Sequence, residues 1–420
     1  MSGLPNDGLV GLRPVKHDWP IGVVANEQQQ DALGFMHATN YRLAIVEFDD
    51  QGRGFLNRQS EREQLDKVSA EIEAMRRDGV DAIVVVFVHG WKHDARTNDD
   101  NLSAFRVLLD QTALHERRCA DGGKERPVYG IFVGWRGLSL HGVFGTLEDA
   151  TFWDRQQAGR RVAAGSVHEL FGRLRHYRNS RQQGGGPALL AIAGHSFGGM
   201  IVFSALAQSL IEAASAPNDE MIPRFADVVL LINPAIEGAR YLPIYDLVNS
   251  AAFQQRTMVQ LPAFICVQAD NDIPVGTFFP IGNVKNHIEE ATIGSLEGRC
   301  TSHAIGFVDE FRTHRISGPS DTTPFVLEPA DPLQKNPFWV VRATKEVVDG
   351  HGGIWLAPFQ KFLEAILFKH VNVSKTPKMA RPGAAKPVAE KAAAPREAAP
   401  ESLAEYAAGL PDPPEAKAEP

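Results

Sequence analysis

Residues 188–200 read Ala-Leu-Leu-Ala-Ile-Ala-Gly-His-Ser-Phe-Gly-Gly-Met, and this stretch decides the fold. An apolar run of strand length ends at Gly194, Ser196 follows on a turn, and Gly198 and Gly199 open a helical pattern. A Gly-x-Ser-x-Gly sequence between a strand and a helix is typical of a nucleophile elbow. The turn strains the serine backbone and lifts its hydroxyl above the sheet, while the glycines allow strand and helix to pack closely. We therefore predict that Ser196 is a nucleophile.

The composition is that of a globular protein with a large core. The chain has 420 residues, of which 44% are hydrophobic and 22% are charged. Its formal net charge is −8, and no Lys/Arg cluster alternates with aromatic residues, which argues against a nucleic-acid partner. The three cysteines are too few and too scattered for a disulfide framework or a zinc site, so we predict no metal.

The sequence predicts a soluble, cytoplasmic protein. The first thirty residues lack a basic region followed by an apolar one, so no secretory signal is expected. No apolar run approaches the roughly 20 residues that a membrane-spanning helix needs, so no integral membrane segment is expected either. A signal-independent export route would leave no such trace.

Strand and helix patterns alternate along the chain. Seven runs are predicted to be strands: Tyr41–Phe48, Ala82–His89, Val128–Trp135, the apolar run before the elbow, Val228–Asn233, Ala263–Gln268 and Trp339–Val348. Five segments are predicted to be helices: Arg58–Arg77, Leu102–Leu114, Asp154–Tyr177, which is long and expected to bend or break, Met200–Ala213 and Leu356–His370. This alternation predicts a mostly parallel sheet covered on both faces.

Three segments differ from this core. Residues 1–38 lack clear periodicity and are predicted to be an irregular arm ahead of the α/β domain at 39–373. Within the domain, residues 274–336 form a long excursion, for which a lid or pocket wall and a structural embellishment are both open interpretations. Residues 374–420 are rich in Ala, Pro, Glu and Lys, and are predicted to be a disordered tail.

A serine nucleophile needs a histidine base and a carboxylate that fixes the histidine tautomer. After a nucleophile elbow these follow in the order serine, acid, histidine. The strand Ala263–Gln268 leads into two candidate acids, Asp270 and Asp272. Asp272 begins an Asp-Ile-Pro-Val turn and is the favoured acid, with Asp270 as the alternative and Glu237, after the preceding strand, third.

The base must come from the histidines that follow that strand. His351 lies in Asp-Gly-His-Gly-Gly (349–353), after the last predicted strand and before the final helix, where its glycine neighbours let the loop reach the serine. The other histidines are expected at the surface of the excursion or near the end of the final helix. They are His287, His303, His314 and His370. We predict that His351 is the base.

An oxyanion needs two backbone N–H donors, and the first is expected from Phe197, directly after the serine. The second is expected from Trp91, after the strand that ends in His89 and Gly90. His89 precedes the serine in the chain and is therefore interpreted as a packing and hydrogen-bonding residue. The acidic stretch 98–101 is interpreted as a helix N-cap rather than a set of metal ligands.

Four motifs together resemble the α/β-hydrolase superfamily, and within it the lipase/esterase-like families of uncharacterised hydrolases. They are Phe-Val-His-Gly-Trp (87–91), Gly-His-Ser-Phe-Gly-Gly (194–199), Asp-Ile-Pro-Val (272–275) and Gly-His-Gly-Gly-Ile (350–354). Over about residues 40–370, the resemblance implies an eight-stranded, mostly parallel sheet with helices on both faces and a long insertion before the last strand.

The resemblance also implies a Ser-His-Asp esterase that needs no cofactor and acts on a small-molecule or lipid ester. It does not fix the substrate, because this superfamily supports many chemistries. A phospholipase, a thioesterase and an amidase would use the same three residues. A non-catalytic binding module on the same fold is a further alternative, and the oligomeric state stays open.

Overall fold

The computed structural model describes most of the predicted domain. The described residues are 28–30, 36–38, 41–54, 63–90, 93, 95, 99–119, 124–135, 157–184, 187–256, 259–278, 295–321, 323–331 and 335–368. The predicted tail at 374–420 lies outside them, and so does most of the predicted arm at 1–38.

A nine-stranded sheet forms the centre of the described part of the chain. Its strands are β3 (Tyr41–Phe48), β4 (Ile83–Val88), β5 (Val128–Trp135), β6 (Leu189–His195), β7 (Val228–Ile232), β8 (Phe264–Ala269), β9 (His314–Ser317), β10 (Val326–Pro329) and β11 (Phe338–Ala343). Their order across the sheet is β10-β9-β11-β8-β7-β6-β4-β5-β3, and every pairing is parallel except that of β10 with β9. Two shorter strands, β1 (Gln28–Gln30) and β2 (Met36–Ala38), pair separately and antiparallel within the segment predicted as an arm.

Helices follow most of the parallel strands. They are α1 (Glu63–Arg77), α2 (Asp100–Cys119), α3 (157–164), α4 (Ser166–Gln183), α5 (Phe197–Ala214), α6 (Leu242–Val248), α7 (Ala251–Gln254), α8 (Leu296–Ser302) and α9 (Ala357–Leu367). The break predicted within 154–177 lies at Gly165, where a Cβ would come 2.1 Å from the carbonyl oxygen of Gly52. The close approach of these two backbone segments explains why one long helix becomes α3 and α4.

The sheet buries both of its faces. Every residue of β4 is buried, as its continuous β-branched run predicts for a strand covered on both sides. Alternate side chains of β4 join two different cores: Val84 and Val86 pack with α1, α4 and α5, whereas Val85 and Phe87 pack with α2 and α9. This is the doubly covered, mostly parallel α/β sheet that the sequence predicts.

The sheet has one strand more than the eight that the resemblance implies. All seven strands predicted from the sequence are present, and β9 and β10 are added at one edge by the segment 274–336. Part of the predicted excursion is therefore sheet, and residues 279–294 of it lie outside the described residues. The last strand ends at Ala343 rather than at Val348, because residues 344–348 form a turn. The division into arm, domain and tail stays a prediction.

Glycines hold α5 very close to the sheet. A Cβ on Gly194 would lie 2.4 Å from the carbonyl oxygen of Gly198, and a Cβ on Gly198 would lie 2.1 Å from that of Val88. By length and composition, helix α5 is apolar enough to cross a membrane. However, 67% of the helix is buried inside the protein. Its apolar character is thus explained by packing at the centre of the fold.

We expect Gly198→Ala to lower the free energy of unfolding by more than about 3 kcal/mol, because the added methyl group would overlap the backbone of β4. The matched control is Gly172→Ala in α4, where an added Cβ has no atom within 4 Å. That change should raise the free energy of unfolding by about 0.5–1 kcal/mol through helix propensity alone. Urea denaturation of both variants checks the prediction, and two equally stable variants would contradict it.

Candidate active site

Ser196 lies at the carboxyl end of β6, where the chain turns into α5. Its backbone has φ 55° and ψ −121°, a strained conformation for a residue with a side chain. The turn is held because the N–H of Ser196 donates to the carbonyl oxygen of Ile232 on β7 at 3.0 Å. Helix α5 begins at Phe197, so its positive end faces the serine. The strained turn predicted from the Gly-x-Ser-x-Gly sequence is present.

Ser196, His351 and Asp272 form a continuous hydrogen-bonded chain. The serine Oγ lies 2.9 Å from Nε2 of His351. The other ring nitrogen, Nδ1, lies 3.0 Å from Oδ2 and 3.1 Å from Oδ1 of Asp272. The serine and the aspartate are buried, whereas the side chain of His351 is 25% exposed. The fold thus brings together three residues from three loops at one edge of the sheet.

The surroundings of Asp272 fix the histidine tautomer. Its Oδ2 accepts a hydrogen bond from Nε2 of Gln268 at 2.8 Å, and its Oδ1 accepts from the backbone N–H of Val275 at 3.1 Å. A carboxylate can only accept, so Nδ1 of His351 must carry the proton that it shares with Asp272. Nε2 is then free to accept the proton of the Ser196 hydroxyl. This is the arrangement that a general base requires.

His195 packs beside His351 and supports it. Its Nε2 donates to the backbone carbonyl oxygen of His351 at 2.8 Å, and the two ring centroids are 4.9 Å apart. Burial, reinforced by the nearby His351, holds the pKa of His195 well below its ordinary value. His195 is therefore a neutral ring whose Nε2–H holds the backbone of His351, and sequence reasoning did not assign it this role.

This chain is similar to known proteins in structure rather than in sequence. No protein-family model matches it, and no curated protein matches it in sequence. Among solved structures it is similar to acyl-protein thioesterase 2 from Zea mays (14% identity, TM-score 0.27, covering 69% of this chain and 95% of that one). It is also similar to TT1662 from Thermus thermophilus (11% identity, TM-score 0.25, 69% and 89%) and to phospholipase PlaB from Legionella pneumophila, solved with thio-NAD (12% identity, TM-score 0.22, 59% and 48%).

The topology and the elbow define the fold class. A mostly parallel sheet, a strained serine between β6 and α5, and an acid and a histidine that follow it in that chain order form an α/β-hydrolase fold. The chain has this fold. Its substrate is a separate question, since the fold supports many reactions.

The alternative acids lie away from His351. Asp270 is exposed and forms an ion pair with Arg315 at 2.8 Å. Glu237 is buried and contacts Arg160 at 2.5 Å and Arg240 at 3.1 Å. Both carboxylates are therefore occupied by arginines, and of the three candidate acids Asp272 is the one beside the histidine.

The alternative histidines also lie elsewhere. His303 contacts Oγ of Ser302 at 2.8 Å, and His314 contacts Oγ1 of Thr313 at 2.9 Å. Burial lowers the pKa of His303, and it lowers that of His314 to about 4, so both are neutral structural rings. Both were expected at the surface, but His314 is buried because it lies in β9 between β10 and β11, whereas His303 is half-buried. His287 and His370 lie outside the described residues.

The loop after β4 runs beside Ser196. A Cβ on Gly90 would lie 2.9 Å from the Cβ of Ser196, so this backbone passes directly by the serine. Trp91, the predicted second oxyanion donor, lies outside the described residues and stays a prediction. Among the described residues, no group of three or more His, Cys, Asp or Glu side chains could hold a metal ion.

His89 and Asp99 make the structural hydrogen bonds that the sequence predicts for the loop after β4. The Nε2 of His89 accepts from the N–H of Trp135 at 3.1 Å, and its Nδ1 donates to the carbonyl oxygen of Gly90 at 2.8 Å. Burial lowers the pKa of His89 to about 4, which keeps this ring neutral. Asp99 caps α2 by accepting from the N–H groups of Asn101 and Leu102 at 2.9 and 3.1 Å.

Sequence reasoning missed Asn233 and Gln268, both of which are fully buried beside Asp272 and the His351 loop. Their amides contact each other at 3.3 Å, and Gln268 also contacts Asp272. One signal pointed to Asn233: it stands between a buried apolar strand and Pro234, where a polar side chain is unusual. Gln268 had no such signal, since a polar residue near a strand end is common.

Proposed function

We propose that this protein is a serine hydrolase that cleaves a carboxylic ester through Ser196, His351 and Asp272. One observation carries the proposal: Ser196 Oγ, the His351 ring and the Asp272 carboxylate form an unbroken chain with contacts of 2.9 and 3.0 Å. The serine at its head has the strained backbone of a nucleophile elbow. A serine, a histidine and an aspartate in this geometry have little structural purpose, whereas acyl transfer requires them.

In the proposed acylation step, Oγ of Ser196 attacks the ester carbonyl carbon while Nε2 of His351 accepts the hydroxyl proton. The imidazolium that forms is stabilised by the carboxylate of Asp272. The tetrahedral oxyanion accepts hydrogen bonds from the backbone N–H groups of Phe197 and Trp91. His351 then gives its proton to the leaving alkoxide, which departs as an alcohol and leaves the acyl group on the serine.

Deacylation repeats these steps with water. His351 takes a proton from a water molecule, whose oxygen attacks the carbonyl carbon of the acyl-enzyme. Collapse of the second tetrahedral intermediate breaks the bond to Oγ, and His351 returns the proton to the serine. A carboxylic acid leaves, and the free enzyme is restored. The cycle consumes one ester and one water, and it needs no cofactor.

A matched substrate series tests the reaction class. We expect the protein to hydrolyse p-nitrophenyl esters with acetyl, butyryl, octanoyl and dodecanoyl groups. The acyl chain length with the highest rate indicates the length of the acyl pocket. The p-nitroanilide and the thioester of the best acyl group, and a phospholipid in mixed micelles, are compared at equal concentration. Preference for one of these over the ester would change the proposal to an amidase, a thioesterase or a phospholipase. No turnover of any of them would favour a non-catalytic binding module.

A further inference from the structure

Two non-glycine residues have a positive φ in the described part of the chain, and they lie at the ends of neighbouring strands. One is Ser196 after β6, and the other is Asn233 after β7, with φ 46°. Residues with side chains occupy this left-handed region at a cost, and such strain concentrates at functional sites. The strain at Ser196 presents a nucleophile. The strain at Asn233 therefore needs its own explanation.

The side chain of Asn233 joins the loop that holds the acid to the loop that holds the base. Its Nδ2 donates to the carbonyl oxygens of Gly350 and His351, each at 2.9 Å. Its Oδ1 accepts from the N–H of Ala269 at 2.9 Å and from the amide of Gln268 at 3.3 Å. The residue is 0% exposed, so the carboxamide makes four hydrogen bonds in the dry interior, which is its full capacity.

The loop that carries His351 is held both by its own hydrogen bonds and by side chains from outside it. Asp272 and His351 are 79 residues apart in the chain and come from different loops. Within the loop, the backbones of Asp349 and Gly353 hydrogen-bond to each other at 3.2 and 3.0 Å, and Oδ1 of Asn271 accepts from the N–H of Gly350 at 2.8 Å. The backbone carbonyl of His351, the residue that carries the base, is held by Asn233 and by Nε2 of His195, at 2.9 and 2.8 Å.

We propose that Asn233 is a positioning residue that helps to set the distance between His351 and Asp272, an inference that rests on the function proposed above. Its left-handed backbone places the carboxamide between the two loops. There the Nδ2 group donates to the loop of His351, and Oδ1 accepts from the loop of Asp272. Because Asn233 contacts the loop backbones and not the reacting atoms, its loss should misplace the imidazole without removing a substrate contact. It should therefore lower kcat and leave KM nearly unchanged.

Asn233→Asp is the sharpest variant. Asparagine and aspartate have the same shape and both tolerate the left-handed conformation, so the backbone is kept. One side-chain oxygen still accepts from Ala269, but the donor that held Gly350 and His351 becomes a second oxygen facing two carbonyl oxygens. Since a displacement of about 1 Å at a catalytic group can cost about 100-fold, we expect kcat to fall by about 10- to 100-fold with KM within about twofold.

Two further variants separate positioning from folding. Asn233→Gly accepts the backbone conformation and removes the carboxamide, so it should lose kcat to a similar extent if the hydrogen bonds matter. Asn249→Asp is the matched control, because Asn249 follows α6 and donates to the carbonyl oxygen of Tyr245 within its own turn. This control should keep the wild-type kcat, KM and thermal midpoint.

A spectroscopic readout keeps the test independent of turnover. In the wild type, the proton between Nδ1 of His351 and Asp272 should give a downfield proton resonance that disappears in His351→Gln. Asn233→Asp should shift or broaden that resonance, while Asn249→Asp should leave it unchanged. A wild-type resonance and wild-type kcat in Asn233→Asp would overturn the positioning role alone. A wild type without ester turnover would overturn the proposed function, and the resonance would still decide the role of Asn233.

Discussion

Replacing Ser196 with alanine should abolish ester hydrolysis, with kcat falling by at least about 10⁴-fold. The change removes one oxygen atom, the proposed nucleophile, which lies 2.9 Å from Nε2 of His351. No other described group occupies its place, so water would have to attack the ester directly. Initial rates on the best p-nitrophenyl ester, together with a circular dichroism melt, measure the loss of activity and the retention of the fold.

Ser204→Ala is the matched control for this loss. Ser204 lies two turns further along α5, and its buried hydroxyl has no hydrogen-bond partner in the described structure. Removing that hydroxyl should leave kcat unchanged and the melting temperature equal or slightly higher, because no hydrogen bond is lost. If Ser196→Ala kept more than about a tenth of the wild-type kcat, a serine mechanism at this position would be wrong.

Asp272→Asn should lower kcat by about 10⁴-fold, the second of the two largest effects. The substitution keeps the shape of the side chain but places an NH₂ group where an oxygen accepted the proton of His351 Nδ1. The buried Oε1 of Gln268 has no described partner. The side-chain amide of Gln268 can therefore rotate by 180°, so that its Oε1 accepts a hydrogen bond from the new NH₂ group. His351 would then accept at Nδ1 and carry its proton on Nε2, which points a donor at the Ser196 hydroxyl.

The control for this prediction is two residues away in the same loop. Asp270→Asn removes an exposed carboxylate whose partner is Arg315, so kcat should change by less than about twofold. Steady-state kinetics on purified variants compare the two substitutions directly. A normal kcat for Asp272→Asn with a large loss for Asp270→Asn would reverse the assignment of the acid.

Local patterns in the sequence predicted most of the fold. Strand β4 is a continuous β-branched and aromatic run, and β5 is a similar run with two glycines, so both strands have few alternatives to burial on both faces. The edge strands β9 and β10 are four residues each and carry polar and charged side chains, so no periodicity marks them. Their strand conformation depends on pairing along the sheet edge, which is a long-range property that local sequence cannot express.

Local sequence likewise predicts some residues of the candidate site and not others. Ser196 is recognisable because its turn chemistry is local, and the chain order serine, acid, histidine then selects Asp272 and His351 from a short set of candidates. Asn233 could not be found this way, because its partners are backbone groups up to 118 residues distant in the chain. Backbone carbonyls carry no side-chain identity, so the sequence gives no sign of which loop such an amide will hold.

Covalent labelling tests the central claim most directly. The wild type is treated with a fluorophosphonate probe, and the modified residue is located by peptide mass spectrometry. The proposed function predicts one adduct on Ser196 that is absent from Ser196→Ala and retained in Ser204→Ala. An unlabelled wild type, or an adduct on any other residue, would contradict the assignment of Ser196 as the nucleophile of a hydrolase.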